Sequence, residues 1–458
     1  MNIDFAILVV LEGIFKTLNN YLRFIYIKEM SECLEIQGGK PLNGVIKVSG
    51  AKNAALPMLM ASLLTSQKVV YRNVPNLADV AYTKRLLEHF GAQVDWHRDV
   101  IEVQAEKIKA KEASYSLVKA LRASFWILGP LLARVGAARV ALPGGDAIGT
   151  RPVDMHLSGL TKMGADIKLK HGVVYATAPN GLKPAKIDFS FPSVGATHQI
   201  LMAAALTPGV TTLTGVAREP EVLALCDLLT SMGANVEGAG SSKIEIEGQD
   251  ELGAAQVDLI GDRIEAGTYL CAAAATGGEV TVTGIKPEYL PVVLDLFEQM
   301  GLGVQTTENS ITVKRDRALK PVSISTGPFP QFATDLQAPF MAALTLTDGM
   351  SHIEENIFEG RFGHVSELNR MGAKIVADGR SARIEGVATL SSAPVEGGDI
   401  RGAASLLIAA LAAKGTTVLH EIEHLRRGYE SLEQKLLGVG ARVSCRPEQL
   451  EDCISIGC

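Results

Sequence analysis

Paired cysteines are missing from this chain. Its 458 residues hold six cysteines (Cys33, Cys226, Cys271, Cys445, Cys453 and Cys458) and no C-x-x-C pair. Thiols this sparse exclude a disulfide framework and a thiolate zinc cage, and read as reduced cysteines of a cytoplasmic protein. An excess of positive charge is missing too: 44 Lys and Arg against 50 Asp and Glu leave a formal charge of −6. Nucleic acid is therefore not an expected partner, although a local basic pocket for a small anion remains open. No apolar run reaches the ~20 residues of a membrane helix, so no membrane span is expected. The phosphate loop G-x-x-x-x-G-K-[ST] and a strand–GxGxxG–helix are both absent, which excludes a P-loop NTPase and offers no dinucleotide site. No Gly-, Pro- or Ser-rich stretch marks a loose linker.

Residues 1–30 stand apart. An apolar run over 5–11 gives way to Glu12, Lys16, Asn19, Asn20 and Arg23, without a basic start or a small-residue cleavage site. That is not the pattern of a secretory signal. The segment reads as an extension upstream of the true start near Met30, or as an amphipathic extension, and no function is taken from it.

What is present is a repeat. A helix ending in Gly, followed by a short strand, recurs as LLEHFGAQV, LTKMGADI, LLTSMGANV, LFEQMGLGV, LNRMGAKI and LLGVGARV. The glycines are Gly91, Gly164, Gly233, Gly301, Gly372 and Gly440, spaced 73, 69, 68, 71 and 68 residues apart. Glycine after a helix suits a left-handed cap, and the alternation after it suits a strand. A turn and strand precede most copies, as in GVTTLTGV, GEVTVTGI, GMSHIEENI and GTTVLHEI. Each unit is expected to be strand, helix, Gly, strand; Met163, Met232, Met300 and Met371 are expected in the core. Six units group as two α/β domains of three, with a ligand cleft between them.

One motif fails on context. His420-Glu421-Ile422-Glu423-His424 matches the helical zinc signature H-E-x-x-H, but starts where the repeat places a strand. On a strand the two His would stand about 13 Å apart, too far to share a metal. No metal site is expected.

Two segments exceed what the repeat needs. In SGAKNAALP (49–57) a strand runs into Ser-Gly and a helix opens with Lys52 and Asn53. A cation beside helix N–H groups makes an anion site, or else this is a plain cap with a solvated Lys. In PGGDAIGTRPVDMH (143–156) three glycines accompany Asp146, Arg151, Asp154 and His156. Such a loop suits a lid over a substrate, or else a surface turn.

Together the two segments resemble the UDP-N-acetylglucosamine enolpyruvyl transferases, the 1-carboxyvinyltransferases that open peptidoglycan synthesis. The resemblance runs from about residue 34 to 443. It includes RASFWILGP (122–130), SVGATHQ (193–199), AREPE (217–221), DRIEAGTY (262–269), TDLQAPF (334–340), FEGRFGHV (358–365), DIRGAASL (399–406) and RGYE (427–430).

The resemblance implies two inside-out, barrel-like α/β domains of three repeats each. One spans 50–259 with the lid at 143–156; the other joins 31–49 to 260–458, the chain crossing near Ser49 and Leu259. It implies transfer of the enolpyruvyl group of phosphoenolpyruvate to the sugar 3-hydroxyl, with no cofactor. Lys52, Asn53, Arg151, Arg401 and Arg427 would hold phosphoenolpyruvate. Arg122, Arg151, Pro152, Val153, Asp154, Met155, Ser193, Asp335 and Ile357 would hold the sugar nucleotide. Lys52, Asp146, Asp335 and Arg401 would carry the chemistry, with Asp335 as base, Asp146 as proton donor and Asp399 near the reacting centre. Asp146 departs from the Cys that most of the family carries, which implies fosfomycin resistance. At the uridine end, Phe191 stands where some relatives have Lys, and Ala78 where a charge is frequent. The shikimate 3-phosphate enolpyruvyl transferases and a non-catalytic sugar-nucleotide binder are the alternatives.

Overall fold

The computed structural model describes residues 32–448, apart from 114, 119–120 and 145–147. Residues 1–31, Asp146, Cys453 and Cys458 therefore lie outside the described residues. Within these limits the chain forms six four-stranded sheets on one plan. In the third unit, Lys186–Asp188 runs parallel to Gly209–Thr214, which pairs antiparallel with Lys243–Gly248, and that strand pairs with Asn235–Glu237. Helix Val194–Ala205 joins the first two strands, and helix Pro220–Ser231 leads through Gly233 into the hairpin.

The helix–Gly–strand pattern is thus the second part of a longer unit. Its six glycines all sit at φ between 88° and 111°, the left-handed region that a side chain resists. The four repeated methionines are buried. Each unit also contains two strands and a buried helix that the expected strand–helix–Gly–strand omits. Ile400–Ala412, for example, is IRGAASLLIAALA and is buried from Ile400 to Leu411. A helix that is apolar all round has no stripe, so no 3.6-residue period betrays it.

Two hydrophobic cores result. One draws on residues 51–259, the other on 34–48 and 264–443. In the second, helices Arg263–Thr276, Gln337–Leu344 and Ile400–Ala412 pack on one another, so the helices are innermost and the sheets flank them. This is the α/β class expected; the sheets stay open and no barrel closes among the described residues.

The chain crosses between the cores twice. Strand Asn43–Lys47 pairs with Glu279–Thr283 of the second core, and Ala255–Asp258 returns to pair with Lys68–Arg72 of the first. The two crossing segments meet at a bridge between Gly50 and Gly261. A Cβ on Gly50 would stand 1.8 Å from Asn73 O, and one on Gly261 1.9 Å from Gly284 O, so only glycine fits.

The histidine motif is not one element. Strand Thr416–His420 ends at His420, Glu421 turns at φ 56°, and His424 lies on the short helix Glu423–Arg426. The strand reading is corrected for His424: the turn at Glu421 breaks the strand. His420 Nδ1 meets Glu448 Oε1 at 2.8 Å. Among the described residues no His, Cys, Asp or Glu group is arranged to hold a metal, and no helix is long and apolar enough to cross a membrane. Cys226, Cys271 and Cys445 are free thiols.

Candidate active site

A cleft of about 660 Å³ is lined by residues of both cores. Seven basic and five acidic described residues line it, a local excess of positive charge in a chain of net −6. Thirteen sequence-selected residues meet there: Lys52, Asn53, Arg122, Arg151, Pro152, Val153, Met155, Ser193, Asp335, Ile357, Asp399, Arg401 and Arg427. Asp154 does not line the cleft. It is exposed in the first turn of helix Asp154–Lys162, whose phase turns Met155 and His156 inward instead.

Lys52 opens helix Lys52–Ala61 and is buried. Its backbone N–H donates to Asp262 Oδ2 at 3.1 Å, so a protein carboxylate already occupies part of the expected anion site at this helix end. Its ammonium meets Asp79 Oδ2 at 3.3 Å, while Arg427 Nε donates to Asp79 Oδ1 at 2.9 Å. Burial pushes the Lys52 ammonium below its ordinary value against the pull of Asp79. One first-core carboxylate thus aims one cation from each core.

A second carboxylate, on the other side of the cleft, aims two cations of its own core. Asp335 accepts from Arg361 Nη2 at 2.7 Å and from Arg401 Nη2 at 3.1 Å. Burial alone would raise the Asp335 carboxyl, but Arg401 and Arg361 outweigh it and hold the group far below the usual carboxylate range. Arg401 is steadied further by donating to Tyr429 Oη at 3.1 Å. Asp399 caps the helix that carries Arg401: its Oδ1 accepts from the N–H of Arg401 at 2.9 Å and of Gly402 at 3.1 Å. Ser193 likewise caps helix Val194–Ala205, accepting from Ala196 N at 3.3 Å.

The end of the 143–156 loop touches the opposite core. Thr150 donates its N–H and Oγ1–H to Glu359 Oε1 at 2.7 and 2.5 Å, and Gly360 N donates to Ile148 O at 3.0 Å. The guanidinium carbons of Arg151 and Arg361 lie 5.7 and 5.4 Å from the Phe358 ring centre. Arg122 Nη2 donates to Pro152 O at 3.2 Å. Burial, with Arg151 nearby, lowers Arg122 to about 10, which leaves it a cation at neutral pH. Phe191 is 42% exposed at the cleft; Ala78 is exposed at the start of helix Ala78–His89.

The cleft gathers cations from both cores, the arrangement that recognition of an anionic ligand needs. The family profile described as EPSP synthase (3-phosphoshikimate 1-carboxyvinyltransferase) matches residues 36–436. The chain belongs to the EPSP synthase family. Within that family it is 49% identical over 412 residues to a UDP-N-acetylglucosamine 1-carboxyvinyltransferase of Trichlorobacter lovleyi, covering 90% of this chain and 98% of the relative. It is 50% identical over 419 residues to the protein of that name from Beijerinckia indica, covering 89% and 97%. Among solved structures, the enolpyruvyl transferase NikO from Streptomyces tendae superposes with a TM-score of 0.82 at 27% identity, covering 92% of this chain and 100% of that one. The EPSP synthase of Acinetobacter baumannii shares the fold, with a TM-score of 0.70 at 18% identity, covering 91% and 100%.

Five charged residues that sequence reasoning passed over also line the cleft: Asp79, Glu219, Glu221, Arg263 and Arg361. Three of the motifs quoted above contain four of them, so the signal was in hand without a partner to give it meaning. Asp79 had no signal at all: nothing near it in sequence announces a bridge between Lys52 and Arg427.

Proposed function

We propose that the chain transfers the 1-carboxyvinyl group of phosphoenolpyruvate to the 3-hydroxyl of UDP-N-acetylglucosamine, releasing phosphate, in the cytoplasm, as the first committed step of peptidoglycan precursor synthesis. The observation that carries this is the near-50% identity to proteins of that activity along almost their whole length. The sugar oxygen bonds to C2 of phosphoenolpyruvate while C3 gains a proton. The C2–O bond to phosphate then breaks and C3 gives its proton up, restoring the double bond.

Lys52, Arg151, Arg401 and Arg427, with Asn53, receive the carboxylate and phosphate of phosphoenolpyruvate, where fixed cations stabilise charge without reorganising. Arg122, Pro152, Val153, Met155, Ser193 and Ile357 receive the sugar nucleotide, and Asp335 takes the hydroxyl proton. A carboxylate held as far down as Asp335 is a weak base. An arriving anion that competes for Arg401 relieves this, so Asp335 gains basicity only when phosphoenolpyruvate is in place.

Asp146 supplies the proton to C3 in place of the family's thiol. A carboxyl starts near pKa 3.9 against about 8.5 for a thiol, so the acid form needs a closed lid and anionic neighbours. Asp146→Cys is expected to move the pH optimum upward; superimposable pH–rate profiles would refute this. Resistance to fosfomycin follows, because a carboxylate is a poorer nucleophile toward the epoxide.

The test is phosphate release from phosphoenolpyruvate with UDP-N-acetylglucosamine or shikimate 3-phosphate as acceptor. Release with the sugar nucleotide alone, lost in Lys52→Ala, is the expected result. Release with shikimate 3-phosphate alone would overturn the acceptor.

A further inference from the structure

Glu219 and Glu221 occupy the cleft wall, two residues apart at the start of helix Pro220–Ser231, where Pro220 fills the first helical position. Glu219 is the helix N-cap, yet its side chain makes no capping bond. Instead each carboxylate sends one oxygen to the other core. Glu219 Oε1 accepts from the backbone N–H of Phe329 at 3.2 Å, and Glu221 Oε1 accepts from Arg263 Nε at 2.9 Å. The Arg263 guanidinium lies 5.8 Å from the Phe329 ring centre, which closes the group.

The second oxygen of each carboxylate is different. Glu219 Oε2 and Glu221 Oε2 are buried with no hydrogen-bond partner among the described residues, although the two residues are only 7% and 3% exposed. A buried acceptor without a donor costs about 1–3 kcal/mol, and more when charged, so two side by side in a binding cleft call for an explanation. Burial pushes the Glu219 carboxyl upward, with Arg263 opposing. The sign of the pair matters as well: phosphoenolpyruvate, an anion, has no use for acceptor oxygens, whereas a sugar carries hydroxyl and amide donors.

We propose that Glu219 and Glu221 bind a hydroxyl or amide N–H of the acceptor sugar other than the reacting 3-hydroxyl, and so read the acceptor while tying the two cores together. The proposal rests on the acceptor being a sugar nucleotide, as argued above. It adds a recognition point opposite in chemistry to the cationic one: acceptor oxygens for the neutral ring, guanidiniums for the anionic donor. Because the same two side chains hold Phe329 and Arg263, sugar binding and alignment of the cores are coupled through them.

Glu219→Gln is the discriminating variant. Its amide oxygen can still accept from Phe329 N–H, but its NH2 then faces the cleft and offers a donor where an acceptor stood. Calorimetric titration with UDP-N-acetylglucosamine should show a loss of about 10- to 100-fold in affinity, the worth of a hydrogen bond to a charged group. The thermal midpoint should stay within about 2–4 °C of the parent's, and the KM for phosphoenolpyruvate within twofold. Repeating the titration with the 2-deoxy, 4-deoxy and 6-deoxy sugar nucleotides should reveal one analogue that parent and variant bind alike. Equal binding of UDP-N-acetylglucosamine by parent and variant would overturn the proposal and leave the acceptor assignment intact. So would an equal loss for all three analogues. No binding by the parent would bring down the acceptor assignment and the proposal with it.

Discussion

Asp335→Ala removes the one carboxylate shared by Arg361 and Arg401, whose side chains are 5% and 6% exposed. Removing one member of a buried ion pair costs about 3–5 kcal/mol, because the partner charge stays behind unpaired. Asp335 itself is 27% exposed, so water reaches the freed cations and the cost falls near the lower limit, about 3 kcal/mol. With each core near the size at which 1 kcal/mol moves a midpoint by about 2–4 °C, the variant should melt about 6–12 °C below the parent. An anion should give much of this back. Inorganic phosphate or phosphoenolpyruvate pairs with two cations that the parent keeps occupied, so either should raise the variant's midpoint more than the parent's. The assay is a melting series over phosphate concentration for both proteins. A variant that melts with the parent, or equal stabilisation of the two by phosphate, would refute the account of this carboxylate as the brace of two buried guanidiniums.

Two further outcomes follow from other parts of the molecule. His198 is fully buried, packs its ring against Trp126, and has its pKa lowered by burial to about 4. Above pH 6.5 it is neutral in folded and unfolded chains alike; between 6.5 and about 4 only the unfolded chain takes the proton, so stability is lost as pH falls through that window. His198→Gln should flatten this acid limb in urea midpoints measured against pH, and an unchanged slope would exclude the cause. In the 143–156 loop, Glu359→Ala removes both Thr150 hydrogen bonds, so amide exchange of residues 148–151 should speed up several-fold while the central helices are unaffected. Unaltered exchange there would show that this contact does not hold the loop.

The sequence made part of this legible for a local reason. Gly91 and its five counterparts need a left-handed backbone whatever surrounds them, and that need is written at each position. Helix Ile400–Ala412 and its equivalents are set by burial on every side, which leaves composition without period. Lys52 and Asp335 were found through motifs, but their pairing with Asp79 and Arg361 was not: each pair is assembled by the folding of its own core, and Arg427 reaches Asp79 only when two crossings of the chain bring the cores together. Asp399 and Ser193 stand in the cleft as expected, and both are also helix caps, a role their residue types announce. Asp154 followed its motif and not its helix, whose first turn points it to solvent.

The position of strand Glu32–Gln37 has a consequence for the order in which the protein is completed during synthesis. It lies between Thr416–His420 and Arg442–Pro447, with both of its edges paired. The first core is complete in sequence once Ala255–Asp258 has been made and has returned to Lys68–Arg72. The second waits for its last strand, about 400 residues after its first. At about 5–20 residues per second that is roughly 20–80 s during which Glu32–Gln37 has neither neighbour. A chain stopped short of Arg442 therefore carries a finished first core and an open, partly apolar strand edge, the feature that invites pairing with another copy.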